Sequence, residues 1–128
     1  MDRAQTIEQE IQAKGLDAPR VRPADIEAEI ASEHYFTAFD GALAAASEEH
    51  DSAEAAVRIA LGMPQQLQLL TFCVLVLRNG FTVTGESACA SPENFDAEIG
   101  RKVARQNATE KLWPLLGFRL RDQLAKAG

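Results

Sequence analysis

Arg101, Lys102 and Arg105 fall within about one helical turn of one another, with Asn107 on the next turn. Cations so spaced on one helix present a positive face of the kind that holds a phosphate or a carboxylate. Just upstream, Ser91-Pro92-Glu93-Asn94 reads as a helix start, with Ser91 as N-cap, Pro92 at the first helical position and Glu93 in the dipole-favoured first turn. The free backbone N–H groups of such a terminus form a second anion-holding element. Thr84 and Glu86 lie on the strand and loop leading into it. The candidate binding residues are therefore Arg101, Lys102, Arg105, Asn107, Ser91, Glu86 and Thr84. A plainer reading of the same residues is a solvated helix face, paired with Asp96, Glu98 or acidic N-terminal residues, beside an ordinary capped connection.

No catalytic constellation stands out. His34 and His50 have no ligand spacing with any cysteine or carboxylate pair, so no metal is expected. Cys73, in a strand, and Cys89, in a loop, have neither CxxC nor zinc-ligand spacing. Cys89 precedes a helix terminus, where thiolate character can arise, but no base is assignable to it and it reads as a small packing residue. Glu86 reads as an edge carboxylate rather than a general acid. These residues predict no enzymatic activity and no cofactor.

The elements that position these residues follow from periodicity and punctuation. Leu69–Leu77 is apolar almost throughout, Asn79-Gly80 follows, and Phe81–Thr84 alternates apolar and polar. Asn-Gly between two such runs signals a hairpin with a two-residue type I′ turn. That turn sets Leu77 opposite Thr82, Leu75 opposite Thr84 and Cys73 opposite Glu86. Phe72, Val74, Val76, Phe81 and Val83 then form the core face. Leu75 and Leu77 fall on the other, mixed face. A strand apolar on both sides needs cover from the Ala-rich segment or from a second copy, so Leu75 and Leu77 are the expected oligomer interface.

A long helix is expected over about 92–113, burying Phe95, Ile99, Val103, Ala104, Ala108 and Leu112, with Gly100 allowing close backbone approach. Pro114 ends it, and Leu115 to Lys126 supplies a last turn or helix through Leu116, Leu120 and Leu124. Upstream, Thr6–Lys14 reads as a short helix closed by Gly15, and Pro23 opens a second that runs to about Ser32. His34–Ala38 is a short aromatic strand that joins the hairpin. Ser52–Leu61 is a helix capped by Asp51 or Ser52 and ended by Gly62 and Pro64.

The 128 residues suit one domain, 1–128, with an N-terminal helical arm over 1–22 and an Ala-rich insertion over about 38–66. The fold class is α+β: a small antiparallel sheet built on the hairpin at about 69–86, packed on the 92–113 helix with short N-terminal helices. Net charge is −6, unevenly spread. Residues 1–100 carry 6 Lys+Arg against 17 Asp+Glu, while residues 101–128 carry 7 against 2. The two regions can complement each other within the domain or between protomers. An acidic chain whose Tyr35, Phe36 and Phe39 are not interleaved with basic residues disfavours nucleic acid as partner. The longest apolar run is far short of the roughly 20 residues of a membrane-crossing helix. MDRAQTIEQEIQ is no secretory signal, and two unpaired cysteines fit a reducing compartment.

Three stretches, NGFTVTGESAC, SPENFDAEIGRK and LWPLLGF, carry a resemblance to a known family. Residues 69–124 closely resemble the Gp-49-like, or gene-66-like, family of small tailed-phage and prophage proteins, and LDAPRVRPADIEAEIASEHYF does so less sharply. The resemblance implies a phage-encoded protein in the cytoplasm of an infected bacterium and carries no catalytic residues. The expected function is thus a non-catalytic accessory protein, a homo-oligomer, that counters host defence by binding. Its partner would be a host protein or a small anionic signalling nucleotide. A virion structural or assembly component is the alternative.

Overall fold

A computed structural model describes residues 3–47 and 52–128. Its organising feature is the hairpin tip. Gly80 takes φ +89°, whereas no non-glycine residue has positive φ among those described. Asn79 therefore cannot occupy the left-handed position that a type I′ turn requires. Instead the Gly80 N–H donates to the Leu77 carbonyl (2.9 Å) and the Leu77 N–H donates to the Phe81 carbonyl (2.8 Å), enclosing a three-residue loop. The Asn79 side chain accepts from the Phe81 N–H at 2.9 Å and holds the loop closed. This is a turn followed by a left-handed glycine, the bulged alternative to the two-residue hairpin.

That one extra loop residue shifts the pairing by one. β2 (Leu70–Leu77) and β3 (Thr82–Ala88) align Leu75 with Val83, Cys73 with Gly85 and Phe72 with Glu86. Side chains alternate along a strand, so a one-residue slip exchanges the faces. Thr71, Cys73, Leu75 and Leu77 are buried, while Phe72, Val74 and Val76 are half-buried on the other side. The sequence-based core face is corrected accordingly. Val83 remains in the core, and Phe81 at the tip is 55% exposed. Leu75 and Leu77, expected at an oligomer interface, are 0% and 4% exposed within the chain itself and cannot form one.

β1 (Ile30–Thr37) adds the third strand, antiparallel to β2, giving the order β1-β2-β3. It is longer than the aromatic segment expected, and α2 (Pro23–Glu29) ends correspondingly earlier. α1 (Arg3–Ala13) precedes α2. α3 (Ala38–Ser47) and α4 (Ala53–Gly62) occupy the Ala-rich region, followed by a 3₁₀ turn over Gln65–Leu69. Thr37 and Asp40 cap α3 reciprocally, each side chain accepting from the other's backbone N–H at 3.1 Å. Ser52 caps α4 through the Ala55 N–H. Asp51 and His50 lie outside the described residues.

The helix expected over about 92–113 is shorter at both ends, and the last helix starts earlier than Leu115. Pro92–Asn94 is a 3₁₀ turn, and α5 (Ala97–Glu110) starts only at Asp96, whose carboxylate accepts from the Ile99 N–H at 2.9 Å. Asp96 reaches its third residue's amide, whereas Ser91 makes no side-chain cap, so the helix start moves five residues downstream. Lys111 interrupts the chain before α6 (Leu112–Ala127). Pro114 therefore stands in the first turn of a helix, where its missing N–H has no partner to lose, rather than breaking one.

α5 packs on β2 and β3 through its smallest residues. Gly100, Ala104 and Ala108 are buried at four-residue spacing, while Ile99 is 61% and Val103 38% exposed. Backbone proximity outweighs side-chain hydrophobicity here, because Gly85 lets the helix backbone rest on the sheet. Ile26 of α2 and Leu112 and Leu116 of α6 close the core around Leu75. The opposite sheet face is capped at one end, where the Phe36 and Phe72 rings lie 5.5 Å apart beneath Gly41 of α3. Antiparallel sheet with helices on the core face makes the fold α+β.

Candidate functional site

The basic face of α5 is where the sequence points, and its charges are already engaged. Arg105 donates to both Glu27 oxygens (2.7 and 3.1 Å) and, through Nε, to Glu33 at 2.9 Å. Two carboxylates flanking one guanidinium raise its pKa still further, with the bidentate bond to Glu27 the larger cause. Lys102 pairs with Glu98 one turn back at 3.3 Å. Asn107 donates from its amide to the Glu86 carbonyl at 2.8 Å, capping an outward-facing acceptor on the β3 edge. Arg101 is exposed and lines a small cleft of about 120 Å³ that also contains Asp40, Tyr35 and Phe95.

The other binding candidates do not converge on these residues. Thr84 and Glu86 project from the side of the sheet opposite α5, where the Thr84 hydroxyl lies 3.5 Å from the Glu86 carboxylate. Ser91 stands at a three-residue 3₁₀ turn and offers no α-helix terminus to an anion. The structure thus separates the expected cluster: Arg105 and Asn107 are internal ties, Lys102 belongs to a surface pair, and Thr84 and Glu86 lie on another face.

Complementary charge works inside the molecule elsewhere too. Arg119 of α6 holds the buried Glu29 carboxylate at 2.7 and 3.1 Å, and this bond lowers the Glu29 pKa against the opposing effect of burial. Arg20 grips both oxygens of Glu8, one at 2.9 Å, and Gln12 donates to the same carboxylate at 2.6 Å. The Arg20 bond brings the Glu8 pKa down to about 2. The Glu8–Arg20 pair lies within the acidic N-terminal region, whereas the pairs of Arg105 and Arg119 join that region to the basic C-terminal one.

Redox and metal chemistry find little to work with. Cys73 is fully buried, and burial pushes its thiol up. Cys89 is half-buried, with its thiol against the Ser91 carbonyl at 3.1 Å. His34 is exposed and shares a hydrogen bond with Ser32 at 3.0 Å. Among the described residues no group of three His, Cys, Asp or Glu side chains is arranged to hold a metal ion, and no described helix is long and apolar enough to cross a membrane.

What the structure leaves open is apolar. Phe81 at the hairpin tip and Leu115 of α6 line one surface cavity of about 230 Å³, with Leu77 and Leu116 at its floor and the Glu29–Arg119 pair beside it. Leu115 is 40% exposed, and Phe118, one turn further along α6, is 75% exposed. Phe81 precedes β3 at the hairpin tip, beyond the packed part of the sheet, and so stands beside α6 largely in solvent.

The sequence pattern of the Phage protein (N4 Gp49/phage Sf6 gene 66) family matches residues 21–124. The chain belongs to this family. No curated protein and no solved structure matches it. Two segments that carry the family likeness, NGFTVTGESAC and LWPLLGF, meet at the apolar patch. The first supplies Phe81, and the second supplies Leu115 and Phe118 while sending Leu112 and Leu116 into the core. Helical spacing marks Leu112 and Leu116 as the buried stripe of the second segment, whereas the alternation of the first places Phe81 on the same face as Val83.

Proposed function

We propose that this phage-family protein acts without catalysis, by binding a protein of the infected host and so countering its defences. The observation that carries this reading is the patch of Phe81, Leu115 and Phe118. Large aromatic side chains left in water cost hydration free energy, and such clusters become anchors when a partner desolvates them. The charged pair Glu29–Arg119 at its edge suits the polar rim of a protein interface. An anionic nucleotide is less well supported, because Arg105 is already neutralised by two carboxylates and Lys102 by one.

Affinity capture from phage-infected cells tests this, with mass spectrometry of proteins and small molecules. The wild-type chain should retain one host protein in stoichiometric amount, and Phe118→Ser should lose it while remaining folded. A nucleotide in the eluate, or abundance of the chain in purified virions, would replace this reading. Sedimentation of the chain alone shows whether the same patch serves a second copy, which Phe118→Ser would then dissociate.

A further inference from the structure

α1 is held to the rest of the molecule in an unusual way. Its buried residue is Glu8, a carboxylate, while Ile7 on the same helix is 50% exposed. Helices normally dock by apolar burial, so a helix docked through a charge is a weakly integrated unit. The charge is met by Arg20, which also donates to the Leu16 carbonyl at 3.3 Å and thereby ties down the return loop. Arg20 is itself fixed to the body: Val21 beside it packs against the core, and Arg22 precedes α2 as its N-cap. Gly15, at φ +65°, turns the chain back at the end of α1, with the Leu16 N–H donating to the Ile11 carbonyl.

Behind this tie the helix does not close. A trough of about 390 Å³ lies between Ile7 and Ile11 of α1 and Val21, Pro23 and Trp113 of the body. Arg3 of α1 and Glu110 of α5 line it from opposite sides. The family match begins at residue 21, so α1 and its return loop fall outside the matched segment.

We infer that α1 is a strap over the Trp113 trough, latched by Glu8 and Arg20, that opens and closes independently of the body formed by the sheet, α5 and α6. The cavity provides the room, the latch provides the closed position, and the weak apolar docking makes opening a local event rather than global unfolding.

Hydrogen exchange of the wild-type protein and fluorescence of Trp113, its one tryptophan, test this together. In the wild type, α1 amides should exchange at least about tenfold faster than the central amides of α5. Arg20→Ala should accelerate α1 exchange further and increase acrylamide quenching of Trp113, with the urea midpoint of the body unchanged. Reversing the pair, Glu8→Arg with Arg20→Glu, should restore both signals. Exchange of α1 at the same slow rate as α5 would overturn the inference. So would an Arg20→Ala variant whose body midpoint falls along with α1 protection, or a reversed pair that recovers neither signal.

Discussion

Gly85 on β3 and Ala104 on α5 meet backbone to backbone: a Cβ on Gly85 would stand 2.2 Å from the Ala104 carbonyl oxygen and 2.3 Å from the Ala108 amide nitrogen. No rotamer change relieves such a contact, because both obstacles are main-chain atoms. Gly85→Ala must push the helix off the sheet and should cost about 3 kcal/mol or more. Gly117, inside α6, has nothing within 4 Å of the same position. Gly117→Ala should therefore stabilise by about 0.5–1 kcal/mol. Urea unfolding of the two variants gives the opposite signs.

The register makes a sharp distinction between neighbours on β2. Leu75 is wholly buried and Val76 half-buried on the reverse face. Leu75→Ala should cost about 2–5 kcal/mol, the range for a buried leucine whose cavity cannot collapse. Val76→Thr should stay within about 1 kcal/mol of wild type. The reverse ranking in denaturant unfolding would restore the two-residue turn and its pairing.

Acid stability should carry the signature of Glu29. Its folded pKa is held below the ordinary carboxylate value, chiefly by the Arg119 bond. Its contribution is therefore complete above the unfolded value of about 4.3 and is lost as pH falls from there through the lowered folded value. Glu29→Gln should lower stability at neutral pH and flatten the acid limb of a stability-versus-pH curve. An acid limb of unchanged slope would remove the pair from the account.

Thiol chemistry should divide the two cysteines. Cys73 has no exposed surface and a thiol made less acidic by burial, while Cys89 is half-buried near the end of the sheet. Titration with a thiol reagent should find one reactive group in the native protein, lost in Cys89→Ser. The second should appear only on unfolding.

Much of this architecture is readable from residue pattern alone: the hairpin at Asn79-Gly80, the α4 cap at Ser52 and the joining strand around Tyr35. The α+β class and the family follow from the same stretches. The register is not readable, because Asn-Gly serves both a two-residue and a three-residue loop, and only the φ of Asn79 distinguishes them. One residue of ambiguity there exchanges Leu75 with Val76 as the core residue of β2. Ser91 and Asp96 likewise both carry capping chemistry, and the choice depends on where Ala104 and Ala108 must sit against Gly85 and Gly100 against Thr71. Arg101, Lys102 and Arg105 are legible as a charged group, and so is the Lys102–Glu98 pair one turn apart, but Arg105's partners Glu27 and Glu33 lie more than seventy residues away and are brought near by tertiary packing. The exposed patch had no signal of its own.

Site-specific photo-crosslinking in infected cells reaches the central claim most directly. A photoreactive residue placed at Phe118 should yield a covalent adduct with a host protein, and one placed at Arg101 on the α5 face should yield none. An adduct from position 101 without one from position 118 would contradict the account and return the binding surface to the basic helix.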